Sequence, residues 1–269
     1  MDSSIERYTH GHHESVLRSH QWRTAENSAG YLINRLRSGL TVLDVGCGPG
    51  TITADFANLV APGAVVGIDL SETVIEIARR QSAPRQLANL SFETDDVYQL
   101  SLSDETFDVV HAHQVLQHLG DPVAALIQMR RVLRSGGLLA VRDADYGAFA
   151  WYPTSAGLDR WMVIYHELTR LNRAEADAGR HLAAWVREAG FDGLEVSSTN
   201  WTYHDVDERC WWGQLWAERV LHSGFAQQCL EAGIASQGEL EQISRAFLDW
   251  TMQDNAVFIV PSVEVLARR

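Results

Sequence analysis

A short, mostly aliphatic and β-branched run, Thr41 to Val45, passes directly into Gly46-Cys47-Gly48-Pro49-Gly50. That junction constrains the fold of this chain more than any other feature. Three glycines in five positions let a chain turn sharply at a strand end and bring backbone N–H groups against a ligand with no Cβ in the way. The following residues, Thr51 to Asn58, read as a helix, whose positively polarised N-terminus faces the same space and suits a carboxylate or phosphate. A second apolar strand, Ala64 to Asp69, ends in a carboxylate about 20 residues after the loop, a position from which an acid accepts both hydroxyls of a ribose. Strand, glycine loop, helix and acidic strand end together specify a nucleoside site at the carboxyl edge of an open α/β sheet. An ordinary strand-to-helix turn is the plain alternative, and it leaves Asp69 unexplained.

The alternation continues. Ser71 N-caps a helix over Glu72 to Gln81 with Glu72 in its first turn. Strands follow at Leu90 to Glu93, Phe107 to Ala112 and, after Gly136-Gly137, at Leu138 to Val141, with a helix over Val123 to Leu133. This is the pattern of a parallel sheet covered on both faces. Beyond Asp143 the composition shifts, because eight of the nine tryptophans lie there. A helix over His181 to Ala189, a strand over Gly193 to Ser198 and a last strand over Ala256 to Ala267, with Pro261 at a bulge or irregular entry, complete the sheet. Trp151 to Ala176 and Asp205 to Asp254 read as helices forming a cap. The expected division is 1–38 as N-terminal covering helices, 39–146 as the nucleoside-binding core and 147–180 as a cap segment. Residues 181–269 then form the C-terminal part of the sheet, with a helical insertion at about 205–254.

Charge narrows the partners. Lys plus Arg number 22 against 35 Asp plus Glu, a net charge of -13, which repels nucleic-acid backbones and anionic membranes. No nucleic-acid partner is expected, and no segment has the length of apolar sequence that a membrane span needs. Cys47, Cys210 and Cys229 are odd in number and widely spaced, so neither a disulfide scaffold nor a metal site is expected, and a cytoplasmic setting fits.

The loop is GxGxG behind Leu43-Asp44-Val45, whereas a dinucleotide fingerprint is GxGxxG. The stretch VLDVGCGPGT resembles motif I of class I S-adenosylmethionine-dependent methyltransferases. The resemblance continues in the same order through Gly67 to Ser71, Thr94-Asp95-Asp96-Val97, Thr106 to Val110, Val115 to Leu119 and Leu133 to Gly137. The variant resembles the UbiE/Coq5-like small-molecule methyltransferases, and Tyr8 to Tyr31 resembles their N-terminal cofactor-covering helix. This likeness implies a Rossmann-like, seven-stranded, mostly parallel α/β sheet with helices on both faces and a helical cap. It implies S-adenosylmethionine as cofactor, S-adenosylhomocysteine as product and a small-molecule methyl acceptor.

Carried over by position, the likeness places Gly46, Cys47 and Gly48 against the methionine and ribose part, and has Asp44 order the loop. Asp69 would take the ribose hydroxyls and Leu70 cover the adenine. Asp96 and the Val97 N–H would read the adenine edge, His113 would lie by the methionine amino group, and Tyr8 and Arg23 would close the site, Arg23 pairing with the methionine carboxylate. Two positions depart from the family pattern. Asp95 stands where glycine is usual, so Asp95 and Asp96 are interchangeable in role, and Gln117 replaces a histidine.

Methyl transfer from a sulfonium is an in-line displacement in which the protein supplies alignment and exclusion of water. Where the acceptor proton must leave, His113, His118, His12, His13 and Asp143 are the candidate bases nearest the carboxyl edge, and Asp143 and Asp145 follow the fifth strand. Trp151, Tyr152, Trp201, Tyr203, Trp211, Trp212 and Trp216 supply either an aromatic acceptor pocket or ordinary core. Three alternatives stay open: an NAD-dependent dehydrogenase, a nucleic-acid methyltransferase, and a cofactor-binding regulator or non-methylating enzyme that uses the bound sulfonium.

Overall fold

The computed structural model describes Tyr8, Thr9, Gly11 and residues 14–269, the side chains of Glu14 and Leu17 apart. Two helices lead in, α1 (Glu14–Gln21) and α2 (Ala25–Ile33). They are separate because Thr24 starts α2 afresh. Its hydroxyl accepts from the Asn27 N–H (3.2 Å) while Asn27 Oδ1 accepts from the Thr24 N–H (2.8 Å), a reciprocal capping box. The helical stretch leading to Tyr31 is thus broken at Trp22 to Thr24.

The core alternates as the sequence predicts: β1 (Val42–Val45), α3 (Thr51–Val60), β2 (Val65–Asp69), α4 (Glu72–Ser82), β3 (Leu90–Thr94), β4 (Phe107–His113), α5 (Pro122–Val132) and β5 (Leu133–Ala144). These strands lie parallel in the order β3-β2-β1-β4-β5. All four residues of β1 are buried, as a central strand covered on both faces must be. The chain runs outward from β1 through β2 to β3, then returns to place β4 on the other side of β1. That reversal opens a crevice beyond the carboxyl ends of β1 and β4.

The second half adds β6 (Ala150–Tyr152), α6 (Ala156–Leu171), α7 (Ala178–Glu188), β7 (Asp192–Tyr203), α8 (Val206–His222), α9 (Gly224–Glu231), α10 (Gln237–Thr251) and β8 (Val257–Arg268). β8 is antiparallel to both of its neighbours: Leu138 to Ala144 of β5 pair with Arg268 to Ser262, and Asp192 to Tyr203 of β7 cover the other edge. β6 pairs with Val257 to Ile259, beyond the end of the β5 ladder. It therefore continues the β5 edge of β8, and eight strands fill seven positions in the sheet.

Pro261 lies in a continuous register with Asn200, so the expected bulge is absent. Its carbonyl accepts from Asp145 N–H (3.1 Å) on the β5 side, so its missing N–H falls where β5 has ended and β6 has not begun. α6 and α8 to α10 form the cap, whose core joins Trp161, Trp216, Phe247 and Trp250 to Phe258 of the sheet. The cap is therefore packed on β8 and continuous with it.

Candidate active site

The glycine loop is built from below. Asp44, buried on β1, accepts from the Thr53 hydroxyl of α3 (2.6 Å) and sits 2.7 Å from Nδ1 of buried His111 on β4. Both carboxylate oxygens are committed to the fold, which pins the strand end, the helix and the neighbouring strand together. Gly46 and Gly50 have φ of +64° and +78°, in the left-handed region. A Cβ at Gly46 would lie 2.4 Å from a Val115 methyl, and one at Gly50 2.6 Å from the Phe92 ring. At Gly48 only His20 Nδ1 lies within 4 Å, at 3.8 Å, so that part of the loop is a bare ledge on the crevice.

Asp69 lies across from the ledge, at the end of β2. Its carboxylate accepts from the Gly48 N–H (3.2 Å) and the Ser71 N–H (3.0 Å), which fixes its orientation at the crevice. Leu70 follows at the rim, 73% exposed. Asp95 and Asp96 differ sharply. Asp95 accepts from the Ser101 N–H and hydroxyl and from the Asp96 N–H, closing the 95–101 loop on itself. Asp96 accepts only from the Tyr98 N–H through Oδ1, and its Oδ2 makes no hydrogen bond among the described residues. Of the two, Asp96 keeps an oxygen for a ligand.

A cavity of about 820 Å³ runs from this edge into the cap. It brings together Tyr8, Arg23, Asp44, Gly46, Cys47, Gly48, Asp69, Leu70, Asp96, Val97, His113 and His118, twelve residues singled out in the sequence. His12 and His13 lie outside the described residues. Asp143 does not reach the cavity: it is fully buried behind the Gln117 N–H, which donates to it (3.1 Å). Asp145 is also turned away, accepting from the backbone N–H and guanidinium of Arg180. Trp151 packs on Phe258 (5.6 Å between centroids) and Tyr152 is exposed, so neither walls the cavity.

Electrostatics favour neutral bases in the cavity. Burial, then the positive charges of Arg23 and Arg142, hold the His113 imidazole well below its ordinary pKa. Burial, Arg23 and Arg219 bring His118 down to about 3. Burial raises Tyr8 to about 12, and its ring meets His118 edge-on at 4.8 Å. Burial lowers Arg23 to about 10. Arg23 donates to Gln114 Oε1 and lies 5.7 Å from the Trp201 ring, whose other cationic neighbour is Arg142 at 4.7 Å.

Sequence reasoning missed several walls. Trp22, Tyr146, Phe149 and Arg219 line the cavity, and His111 and Thr53 anchor Asp44. Arg219 had a signal: Trp212, Trp216 and Arg219 fall at i, i+4 and i+7, one face of α8. His111 had only a weak one, a polar residue within the apolar stretch Val109 to Ala112.

The donor set fits a nucleoside carrying a zwitterionic tail. The bare ledge and the two acidic ends suit ribose and adenine. Farther in, the cavity carries buried polar atoms with no partner among the described residues: both ring nitrogens of His113, Nε of Arg23, Oε1 of Gln117, the Tyr203 hydroxyl and Nε of Arg219. Buried polar atoms are rarely left so in a folded protein, and here they mark where a polar ligand belongs.

The family model described as a methyltransferase domain matches residues 36–211. An uncharacterised methyltransferase of Schizosaccharomyces pombe is 30% identical over 272 residues, covering 97% of this chain and 96% of that protein. A probable methyltransferase of Aspergillus luteorubrus is 31% identical over 278 residues, with the same coverage of each chain. Among solved structures, YcgJ from Bacillus subtilis shares the fold, with a TM-score of 0.59 at 17% identity over 91% of this chain and 98% of that one. With the domain matched across most of its length and the relatives matched end to end, the chain belongs to the S-adenosylmethionine-dependent methyltransferases that carry this domain.

Proposed function

We propose that this enzyme transfers the methyl group of S-adenosylmethionine to a small aromatic or lipophilic molecule held under the cap, in the manner of the UbiE/Coq5-like group. One observation carries the reading: a single cavity joins the glycine loop, Asp69 and Asp96 to the aromatic residues of the cap. When bound, the cofactor supplies an electrophilic methyl carbon. The chain supplies the rest.

In this reading Asp69 accepts the ribose hydroxyls, Leu70 covers the adenine, and Asp96 with the Val97 N–H reads its edge. Gly46, Cys47 and Gly48 back the ribose and methionine. Arg23 takes the methionine carboxylate, with Tyr8 and His113 beside the amino end. Residues 1–38 cover the cofactor, 39–146 bind it, and 147–180 with about 205–254 enclose the acceptor. Trp201, Tyr203, Trp211 and Trp212 exclude water and align a flat acceptor, since aromatic faces stack on one another at low entropic cost. His113 and His118, uncharged at neutral pH, offer ring nitrogens that accept a hydrogen bond from an acceptor hydroxyl, while their lowered pKa values make them weak proton acceptors. Among the described residues no helix is long and apolar enough to cross a membrane. The acidic balance supports a reading without nucleic acid, and the three free cysteines support a cytoplasmic setting.

The test is turnover on a panel of aromatic and lipophilic hydroxyl, amine and thiol compounds. The expected result is S-adenosylhomocysteine released in proportion to a product heavier by one methyl group. Tight cofactor binding with no methylated product across the panel would favour a regulator.

A further inference from the structure

The cap end of the cavity holds a charge that the proposed reaction does not use. Arg219, 5% exposed on α8, lies with its guanidinium 4.6 Å from the Trp216 ring centroid. Its Nη2 donates to the Ser15 carbonyl (3.2 Å) and the Ser19 hydroxyl (2.8 Å), both neutral, and its Nε is buried without a partner. Among the described residues no carboxylate pairs with it. Burial lowers its pKa, and the groups that oppose this shift are the phenols of Tyr146, Tyr8, Tyr165 and Tyr203, none of them a carboxylate. Arg23, in the same cavity, also has no carboxylate partner among the described residues, and the two guanidiniums disfavour each other's charge.

A buried guanidinium without a counter-ion is costly unless a ligand brings one. S-adenosylmethionine brings a single carboxylate, and the proposed function assigns it to Arg23. The sulfonium adds a further positive charge, and the cavity's acidic residues, Asp44, Asp69, Asp95 and Asp96, all belong to the loop and nucleoside end. Ring contacts lead from one end to the other: His113 to Trp201 at 5.7 Å, Trp201 to Trp22 at 5.4 Å, Trp22 to Trp211 at 5.4 Å and Trp211 to Tyr203 at 5.9 Å. The path closes with Tyr203 stacked on Trp212 at 4.4 Å and Trp212 against Trp216 at 5.9 Å, which carries Arg219.

We infer that the acceptor is an anionic aromatic molecule whose carboxylate docks on Arg219 while its flat body lies along this aromatic wall. The inference rests on the methyl-transfer reading for which ligand occupies the cap. The geometry of Arg219 itself does not depend on that reading.

The test is calorimetric titration of the enzyme, saturated with S-adenosylhomocysteine, with 2-naphthoate and with 2-naphthamide, which share a ring system and differ in charge. A charge-assisted contact at a buried site predicts that the carboxylate binds about ten- to a hundredfold more tightly. Arg219→Gln abolishes that preference and Arg219→Lys keeps part of it, with the S-adenosylhomocysteine affinity of each variant within about twofold of wild type. Equal binding of the two probes to the wild type, or no binding of the carboxylate, overturns the assignment without reference to any variant. So does a preference that survives in Arg219→Gln. Selective binding of the carboxylate by the enzyme alone, with no binding of S-adenosylhomocysteine in a separate titration, keeps this assignment and loses the reading on which the acceptor's role rests.

Discussion

Replacing Asp143 by asparagine isolates the cost of a buried carboxylate that lies outside the cavity. Burial raises its pKa from the ordinary 3.8 to about 7, opposed by the Gln117 and Leu116 N–H groups and by the positive charges of Arg142 and Arg23. Between those two values the unfolded chain has released the proton and the folded chain has kept it. Unfolding therefore gains from rising pH, and wild-type stability falls across this window and levels off above it. A shift of about three pH units corresponds to roughly 4 kcal/mol at about 1.4 kcal/mol per unit. His113 and His118, with lowered pKa values, act in the other sense and cost stability as pH falls below the ordinary histidine value. They are common to both proteins and cancel in the difference. Urea unfolding of wild type and Asp143→Asn from pH 4 to 8.5 should show near-equal stability at the acid end. The asparagine variant should then draw ahead through pH 5 to 7, by roughly 4 kcal/mol at pH 8, since Asn Oδ1 still accepts from Gln117. A gap that does not change with pH would refute the reasoning.

Other outcomes follow from single contacts. Asp69→Ala should weaken S-adenosylhomocysteine binding by roughly 1 to 3 kcal/mol in a direct titration, because ribose hydroxyls would lose their acceptor; unchanged affinity would remove Asp69 from the site. Gly46→Ala should cost about 1 to 3 kcal/mol of stability through a positive φ and the Val115 methyl 2.4 Å away. Adding Val115→Ala should leave the φ part, about 1 kcal/mol, in place in chemical denaturation. Trp161→Ala, at the fully buried centre of the cap, should lower stability by about 3 to 5 kcal/mol while leaving cofactor affinity nearly unchanged.

The parallel half of the molecule was legible because its signals are local. β1 announces itself by three aliphatic residues around Asp44 before a glycine, and Ser71 by its place before Glu72, where its hydroxyl does accept from the Val74 N–H. The loop and Asp69 could be placed at the crevice for the same reason, being neighbours of strand ends, whereas Asp96 came only from the family likeness. What the sequence withheld is long-range. Nothing near Pro261 says that β5 stops beside it and β6 resumes, so a bulge was the natural expectation. Strand alternation shows that Asp143 and Asp145 face some side of the sheet but not which side is covered, and both proved to be turned away from the cavity. The aromatic residues divided in the same way. Trp151 fell to the core and Trp22, far away in sequence, to the cavity wall, because three-dimensional neighbours of the cap come from both ends of the chain.

The ladder between β7 and β8 pairs Tyr203 with Phe258. The whole run of helices from α8 to α10 thus leaves the sheet and returns to it at adjacent points on neighbouring strands. An insertion whose two ends are held side by side can be lengthened, trimmed or exchanged without moving the frame that carries the glycine loop. In the function proposed above, the loop that holds the methyl donor and the α8 part of the wall facing the acceptor thus lie in separate stretches of one chain.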